Sequence, residues 1–159
     1  KEREITKLLS DPADVRTVEL EPLLDRTVRS VRESYPAASI SADLPDGVVV
    51  RASTNLGRAF TEVLRNAVEH SGDDSPSIEV TVTTLADAVA VRIVDDGPGI
   101  PSMERSILSE TPDIEPLYHG SGLGLWLVNL IVRESGGSLA FEENEPRGSI
   151  VTVELQPAT

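Results

Sequence analysis

The chain has no cysteine, which excludes disulfides, thiolate nucleophiles and cysteine-ligated metal centres. Lysine is confined to Lys1 and Lys7, and 14 basic residues stand against 27 acidic ones, a net charge of −13. Such a field disfavours nonspecific nucleic-acid binding, which depends on basic contacts to phosphate. Acidity with so little lysine also resembles the surfaces of proteins from salt-loving organisms. Aromatic residues make up 3% of the chain, with Phe60 and Phe141 the only phenylalanines, so the 39% of hydrophobic residues must build the interior mainly from Val, Leu, Ile and Ala. No apolar run reaches the roughly 20 residues needed to cross hydrocarbon, and the first residues lack a signal-peptide core. A soluble piece is expected, with any membrane attachment supplied by other regions. Its 159 residues fit one domain.

Hydrophobic periodicity orders the elements. Val15–Leu20 reads as a strand, and Leu23, Leu24, Thr27, Val28, Val31 and Tyr35 as one face of a helix that Pro36 ends. Ile40–Leu44 and Val48–Arg51 are short strand candidates on either side of the turn signal Pro45-Asp46-Gly47. Over 54–70, Leu56, Phe60, Val63, Leu64, Ala67 and Val68 recur at helical spacing, with Asn55, Arg58, Glu62, Asn66 and Glu69 on the opposite side, toward a cleft or solvent. Alternation at Ile78, Val80, Val82 and again at Val89, Val91, Ile93 predicts a hairpin that delivers Asp95 and Asp96 to a strand end. Residues 98–120 read as a mobile connection. Leu123–Val132 is apolar on nearly every side, as in a helix buried between a sheet and another element. Gly136 and Gly137 end it, and Leu139–Phe141 and Ser149–Leu155 supply the last strands.

Three segments carry chemistry. Glu62 and Asn66 are one helical turn apart, so a carboxylate and a carboxamide can address one site. Asn offers a neutral oxygen to Mg²⁺, and Glu can orient or deprotonate a reactant or make an ion pair. Taken alone, the pair also reads as a solvated helical face. Asp95-Asp96-Gly97-Pro98-Gly99-Ile100 follows a strand, and its glycines permit a sharp turn or close ligand approach while a carboxylate can accept from an exocyclic base amine. An acidic surface turn would look the same. Gly120-Ser121-Gly122-Leu123-Gly124 precedes a helix whose terminal amides could approach phosphate. It lacks the lysine of a P-loop and the context of a dinucleotide fingerprint.

Together, in this order and spacing, the segments resemble the Bergerat-fold ATP-binding family of sensor histidine kinases, DNA gyrase, Hsp90 and MutL proteins, over about Val15 to Leu155. The short lid and the Gly122-Leu-Gly-Leu-Trp126-Leu-Val run look most like a sensor histidine kinase catalytic domain. The resemblance implies an α/β two-layer sandwich, a mixed and largely antiparallel sheet covered by helices, with ATP and Mg²⁺ beside the Glu62–Asn66 helix. It assigns Asn66 to the metal, Asp95 to adenine, and Gly97, Gly99 and Ile100 to the base-side wall. Gly120, Ser121, Gly122, Leu123 and Gly124 fall at the lid end near the phosphates. Glu62 would be catalytic, since some members carry a general-base glutamate there. His70 reads as a phosphate contact or as a structural histidine.

The implied reaction is phosphoryl transfer from ATP to a histidine on a partner dimerisation and phosphoacceptor domain, followed by transfer to a response regulator, with a cytoplasmic location. Neither His70 nor His119 has the acceptor context. Glu69 stands where many members carry Lys or Arg for phosphate, and the lid phenylalanine motif is absent. A related ATPase or serine-directed regulatory kinase is the rival enzyme reading, and a degenerate nucleotide-binding or protein-interaction module the non-enzymatic one. Residues 1–12, with Ile5, Leu8 and Leu9 as an apolar stripe, read as the end of a preceding helical domain or a linker. Residues 13–159 form the catalytic domain, with a flexible lid about 101–120.

Overall fold

The structure, a computed structural model, describes residues 14–69, 76–95, 121–143 and 148–158, with the backbone alone considered at 121–124 and 143. The segment 1–12, the segment 101–120 expected as a lid and the residues His70, Asp96, Gly97, Gly99, Ile100, His119 and Gly120 lie outside the described residues.

The described elements are β1 (Val15–Glu19), α1 (Leu20–Ser34), β2 (Ser39–Asp43), β3 (Val49–Ser53), α2 (Leu56–Glu69), β4 (Ser77–Thr84), β5 (Val89–Asp95), α3 (Ser121–Glu134), β6 (Ser138–Glu143) and β7 (Ser149–Pro157). The strands form one sheet in the order β1-β3-β7-β5-β4-β2, with β6 also paired to β7. Every pairing is antiparallel except that of β2 with β4. This is the mixed, largely antiparallel sheet covered by helices that the family resemblance implied.

The two-residue period of the strands sets the faces. Ile78, Val80, Val91, Ile93, Val151, Val153 and Leu155 are buried beneath the helices, while Thr83, Arg92 and Glu154 look outward. The β4–β5 hairpin holds the predicted register, pairing Val80 with Ile93 and Val82 with Val91 across a turn closed by Leu85 N–H to the Ala88 carbonyl at 2.8 Å. Above the sheet, α2 lies between α1 and α3 and drives Leu56, Phe60, Val63 and Leu64 into the core. Each such aliphatic or aromatic side chain contributes about 1.5–3 kcal/mol by leaving water.

The turn at Pro45-Asp46-Gly47 does not make a hairpin. Gly47 takes the left-handed conformation (φ 78°), but β2 runs parallel to β4 while β3 pairs with β1 and β7. A parallel pair needs a long crossover, and β3 and α2 supply it. At the exposed side of β2, Arg32 of α1 donates Nε to the Ile40 carbonyl at 3.2 Å. The α1 helix ends with Tyr35 donating its N–H to the Val31 carbonyl at 2.9 Å, so Pro36 falls just outside.

A buried polar link joins the ends of α2 and α3. Ser135 Oγ accepts the Ser53 N–H at 2.8 Å and donates to the Ile131 carbonyl at 2.9 Å, while Ser53 Oγ accepts the Asn55 N–H just before α2. The α3 helix closes in a Schellman motif: Gly136 N–H reaches the Arg133 carbonyl and Gly137 N–H the Val132 carbonyl, both at 3.0 Å, with Gly136 at φ 75°.

Candidate functional site

The structure places the predicted segments on neighbouring elements. The α2 helix, which carries Glu62 and Asn66, packs on α3 and touches β5, whose last residue is Asp95. Ser121, Gly122, Leu123 and Gly124 are the first turn of α3, so the helix begins two residues before the apolar run that announced it. The amides of a first turn have no partner within their helix and point along its axis. The glycine motif therefore lies partly inside the helix rather than wholly ahead of it.

Among the described residues, Asp95 is held by its neighbours on β7. It is 8% exposed, and its carboxylate accepts two hydrogen bonds from Ser149 on β7: the backbone N–H at 3.3 Å and the hydroxyl at 3.0 Å. The neighbouring pair Val94–Ile150 fixes this register. Ser149 was expected only as the start of a strand. Its signal was faint, a serine behind Gly148, which here adopts φ 110°.

Glu62 departs from its expected setting. The helical pattern places it on the face toward cleft or solvent, yet it is 6% exposed. The cause is that α2 is flanked by helices on both sides, so its buried arc extends past the stripe that faces the sheet and takes in a position next to Val63. Its Oε1 lies 3.9 Å from Arg65 Nη1. Asn66, one turn on, is half-buried. Glu69 is exposed and accepts a hydrogen bond from the Tyr35 hydroxyl, with Arg65 Nη2 at 3.7 Å from the same oxygen.

The donor chemistry suits a hydrated magnesium ion shared with a phosphate chain. Asn66 offers a neutral carboxamide oxygen at the edge of a buried face, and Mg²⁺ commonly keeps several waters and takes few protein ligands. A separate cleft of about 260 Å³, lined by Asp87, Gly136, Gly137, Ser138, Glu154 and Gln156, lies at the opposite end of β5 from Asp95. It brings together none of the predicted residues. No helix among the described residues is long and apolar enough to cross a membrane.

With this arrangement established, known proteins give it a context. The sensor-type histidine kinase PrrB of Mycobacterium leprae is 28% identical over 144 residues, covering 89% of this chain and 32% of its own length. The signal transduction histidine-protein kinase/phosphatase MprB of Mycolicibacterium vanbaalenii is 33% identical over 139 residues, covering 84% of this chain and 28% of its own. The chain thus spans about a third or less of these relatives. A solved mycobacterial sensor histidine kinase MprB structure superposes with a TM-score of 0.73 at 26% identity, over 91% of this chain and 98% of the other. The model of the Histidine kinase-, DNA gyrase B-, and HSP90-like ATPase family matches residues 52–159, more than half of the chain and the whole span from Glu62 to Gly124. The chain belongs to that ATPase family, as an ATP-binding catalytic domain resembling those of sensor histidine kinases.

Proposed function

We propose that this domain transfers the γ-phosphoryl group of Mg-ATP to a histidine on a dimerisation and phosphoacceptor domain, in a relay that passes it on to a response regulator. The observation that carries the reading is the packing of α2, with Glu62 and Asn66 one turn apart, against α3 and β5, the strand that ends in the buried Asp95. Asp95 would accept from the adenine amine, with Gly97, Gly99 and Ile100 beside the base. Asn66 would help hold Mg²⁺, whose charge offsets that of the phosphates. Gly120, Gly122 and Gly124, with Ser121 and Leu123, would let backbone amides approach the phosphates, and His70 would lie at the phosphate end.

In the transfer, an imidazole nitrogen of the acceptor attacks the γ-phosphorus. The bond to the β–γ bridging oxygen breaks, ADP leaves, and Glu62 takes the imidazole proton. Orientation and electrostatics supply most of the rate. Residues 1–12 would end a preceding helical domain, 13–159 form the catalytic domain and 101–120 its lid, on the cytoplasmic side of a sensor.

The test is γ-labelled ATP with the isolated chain and with the chain joined to its upstream helical domain. Acid-labile label should appear on the upstream histidine and stay absent from His70 and His119. Stable label on either of those histidines would overturn this division of labour. ATP hydrolysis without transfer would favour the ATPase reading, transfer to serine the regulatory-kinase reading, and absence of nucleotide binding by folded chain a degenerate module.

A further inference from the structure

Arg65 is the next residue on α2 that the arrangement singles out. Its guanidinium lies between two carboxylates of its own helix, with Nη1 3.9 Å from Glu62 Oε1 and Nη2 3.7 Å from Glu69 Oε2. Tyr35, at the C-terminal cap of α1, donates its hydroxyl to that same Glu69 oxygen. The Tyr35 hydroxyl, which shares the Glu69 oxygen with Arg65, is the foremost cause that holds the guanidinium above its ordinary range, with the charges of Glu62 and Glu69 acting in the same direction. One cation thus stands between two carboxylates of α2, the second of which is tied to the C-terminal cap of α1.

Exposure divides the group. The side chains of Arg65 and Glu69 are 41% and 45% exposed, and that of Glu62 is 7%. Exposed ion pairs contribute little stability, so the arrangement is poorly explained as a device for holding the fold. A guanidinium standing between two carboxylates, one of them buried, is better suited to biasing the direction of the buried carboxylate through its charge. It also gives Glu69 a role. A carboxylate at a position where a phosphate-binding cation was expected repels phosphate, but here it anchors the guanidinium one turn away.

We propose that Arg65 is a positioning residue for Glu62, and that Glu69 and Tyr35 hold Arg65 in place, so that the C-terminal end of α1 is coupled to the carboxylate. The kinetic side of this inference rests on the reading of Glu62 as the base of phosphotransfer. The ordering of Glu62 does not depend on that reading.

Two measurements test it. In single-turnover transfer to the upstream acceptor domain, Arg65→Met should slow the wild-type background roughly tenfold, a modest share of what misplacement of a catalytic group can cost. It should add nothing in the Glu62→Gln background, while Arg65→Lys restores part of the rate and Y35F and E69Q slow it about two- to threefold. Equal slowing by R65M in both backgrounds would overturn the proposal. The second measurement reads the Glu62 χ1 rotamer from three-bond couplings in the isolated chain. A single rotamer is expected in the wild type and in R65K, averaging in R65M, and partial averaging in Y35F and E69Q. A Glu62 rotamer unchanged in R65M overturns the proposal whatever the kinetics give. Wild-type transfer in E62Q would instead sink the reading of Glu62 as base, and the rotamer measurement would then decide the positioning alone.

Discussion

Asp95 and Ser149 face each other at the ends of β5 and β7, each more than nine-tenths buried, with the carboxylate accepting both the backbone N–H and the hydroxyl of the serine. Ser149 takes up two of the roughly four acceptor positions of the carboxylate and so fixes the direction in which Asp95 can receive a further donor. Ser149→Ala should lower the preference for ATP over GTP by about tenfold, and Asp95→Ala should remove it, with phosphate-dependent binding less affected. Calorimetry with ATP, ADP and GTP at two salt concentrations would check this, since a net charge of −13 makes binding and compactness sensitive to screening. Unchanged selectivity in both variants would count against the adenine assignment.

How far the sequence reached depended on how local the determining physics was. The β4–β5 hairpin was legible because Val80, Val82, Val91 and Ile93 alternate across a short turn. The burial of α3 was legible because Leu125, Trp126, Leu127 and Val128 leave no polar face. The separation of β2 from β3 was not, since the turn at Gly47 has the same residues whether or not the flanking strands pair. Among the candidate site residues, the sequence order of Glu62, Asn66 and Asp95 pointed to the proposed site. Ser149 escaped because its partner is 54 residues away. The burial of Glu62 also escaped, because helical periodicity gives one core-facing stripe and cannot register a second helix against α2.

Glu62 and Asn66 should separate chemistry from binding. Glu62→Gln keeps the side chain's size and removes the charge a base requires, so transfer should fall by roughly 10²–10⁴-fold with ATP affinity largely retained. Asn66→Ala should remove the magnesium dependence of ATP binding. Asn66→Asp is a poorer test because a carboxylate also binds magnesium. Nucleotide titration with and without magnesium, beside single-turnover assays, distinguishes the two. Wild-type rates in E62Q or unchanged magnesium dependence in N66A would each remove one assignment.

The close of α3 gives a test of the fold alone. A Cβ at Gly137 would stand 2.2 Å from the Glu154 carbonyl oxygen, and backbone cannot yield as a flexible side chain can. At Gly136 the added atom meets the Gln156 amide at 2.9 Å, in a left-handed conformation (φ 75°) that L side chains rarely adopt. Gly137→Ala should therefore cost about 2–3 kcal/mol, and Gly136→Ala about 1 kcal/mol through backbone strain. Denaturant midpoints at constant slope would rank them, and a larger loss in G136A than in G137A would contradict the close approach of the turn after α3 to the β7 backbone.

Glu134 supplies a prediction about pH. Its Oε1 is buried without a hydrogen-bond partner among the described residues, and burial raises its carboxyl above the ordinary value of 4.5. Because the folded state holds this proton more tightly than the unfolded chain, the group favours folding most below pH 4.5. That contribution is lost as pH rises through the folded-state value. Above it, the ionised carboxylate carries a constant cost, at the last turn of a helix whose C-terminal end is itself partially negative. Glu134→Gln reproduces the neutral form at every pH. At pH 7 it should stabilise the domain by about 0.5–1 kcal/mol, less than the roughly 1–3 kcal/mol of a fully buried unsatisfied group because solvent screens much of this side chain, or a few degrees in Tm. With 27 acidic residues titrating in the background, the quantity to follow is the difference between variant and wild type. It should shrink as pH falls toward 4.5 and vanish below it. A difference in Tm that stays constant from pH 7 to pH 4 would show that Glu134 acts through packing instead of charge.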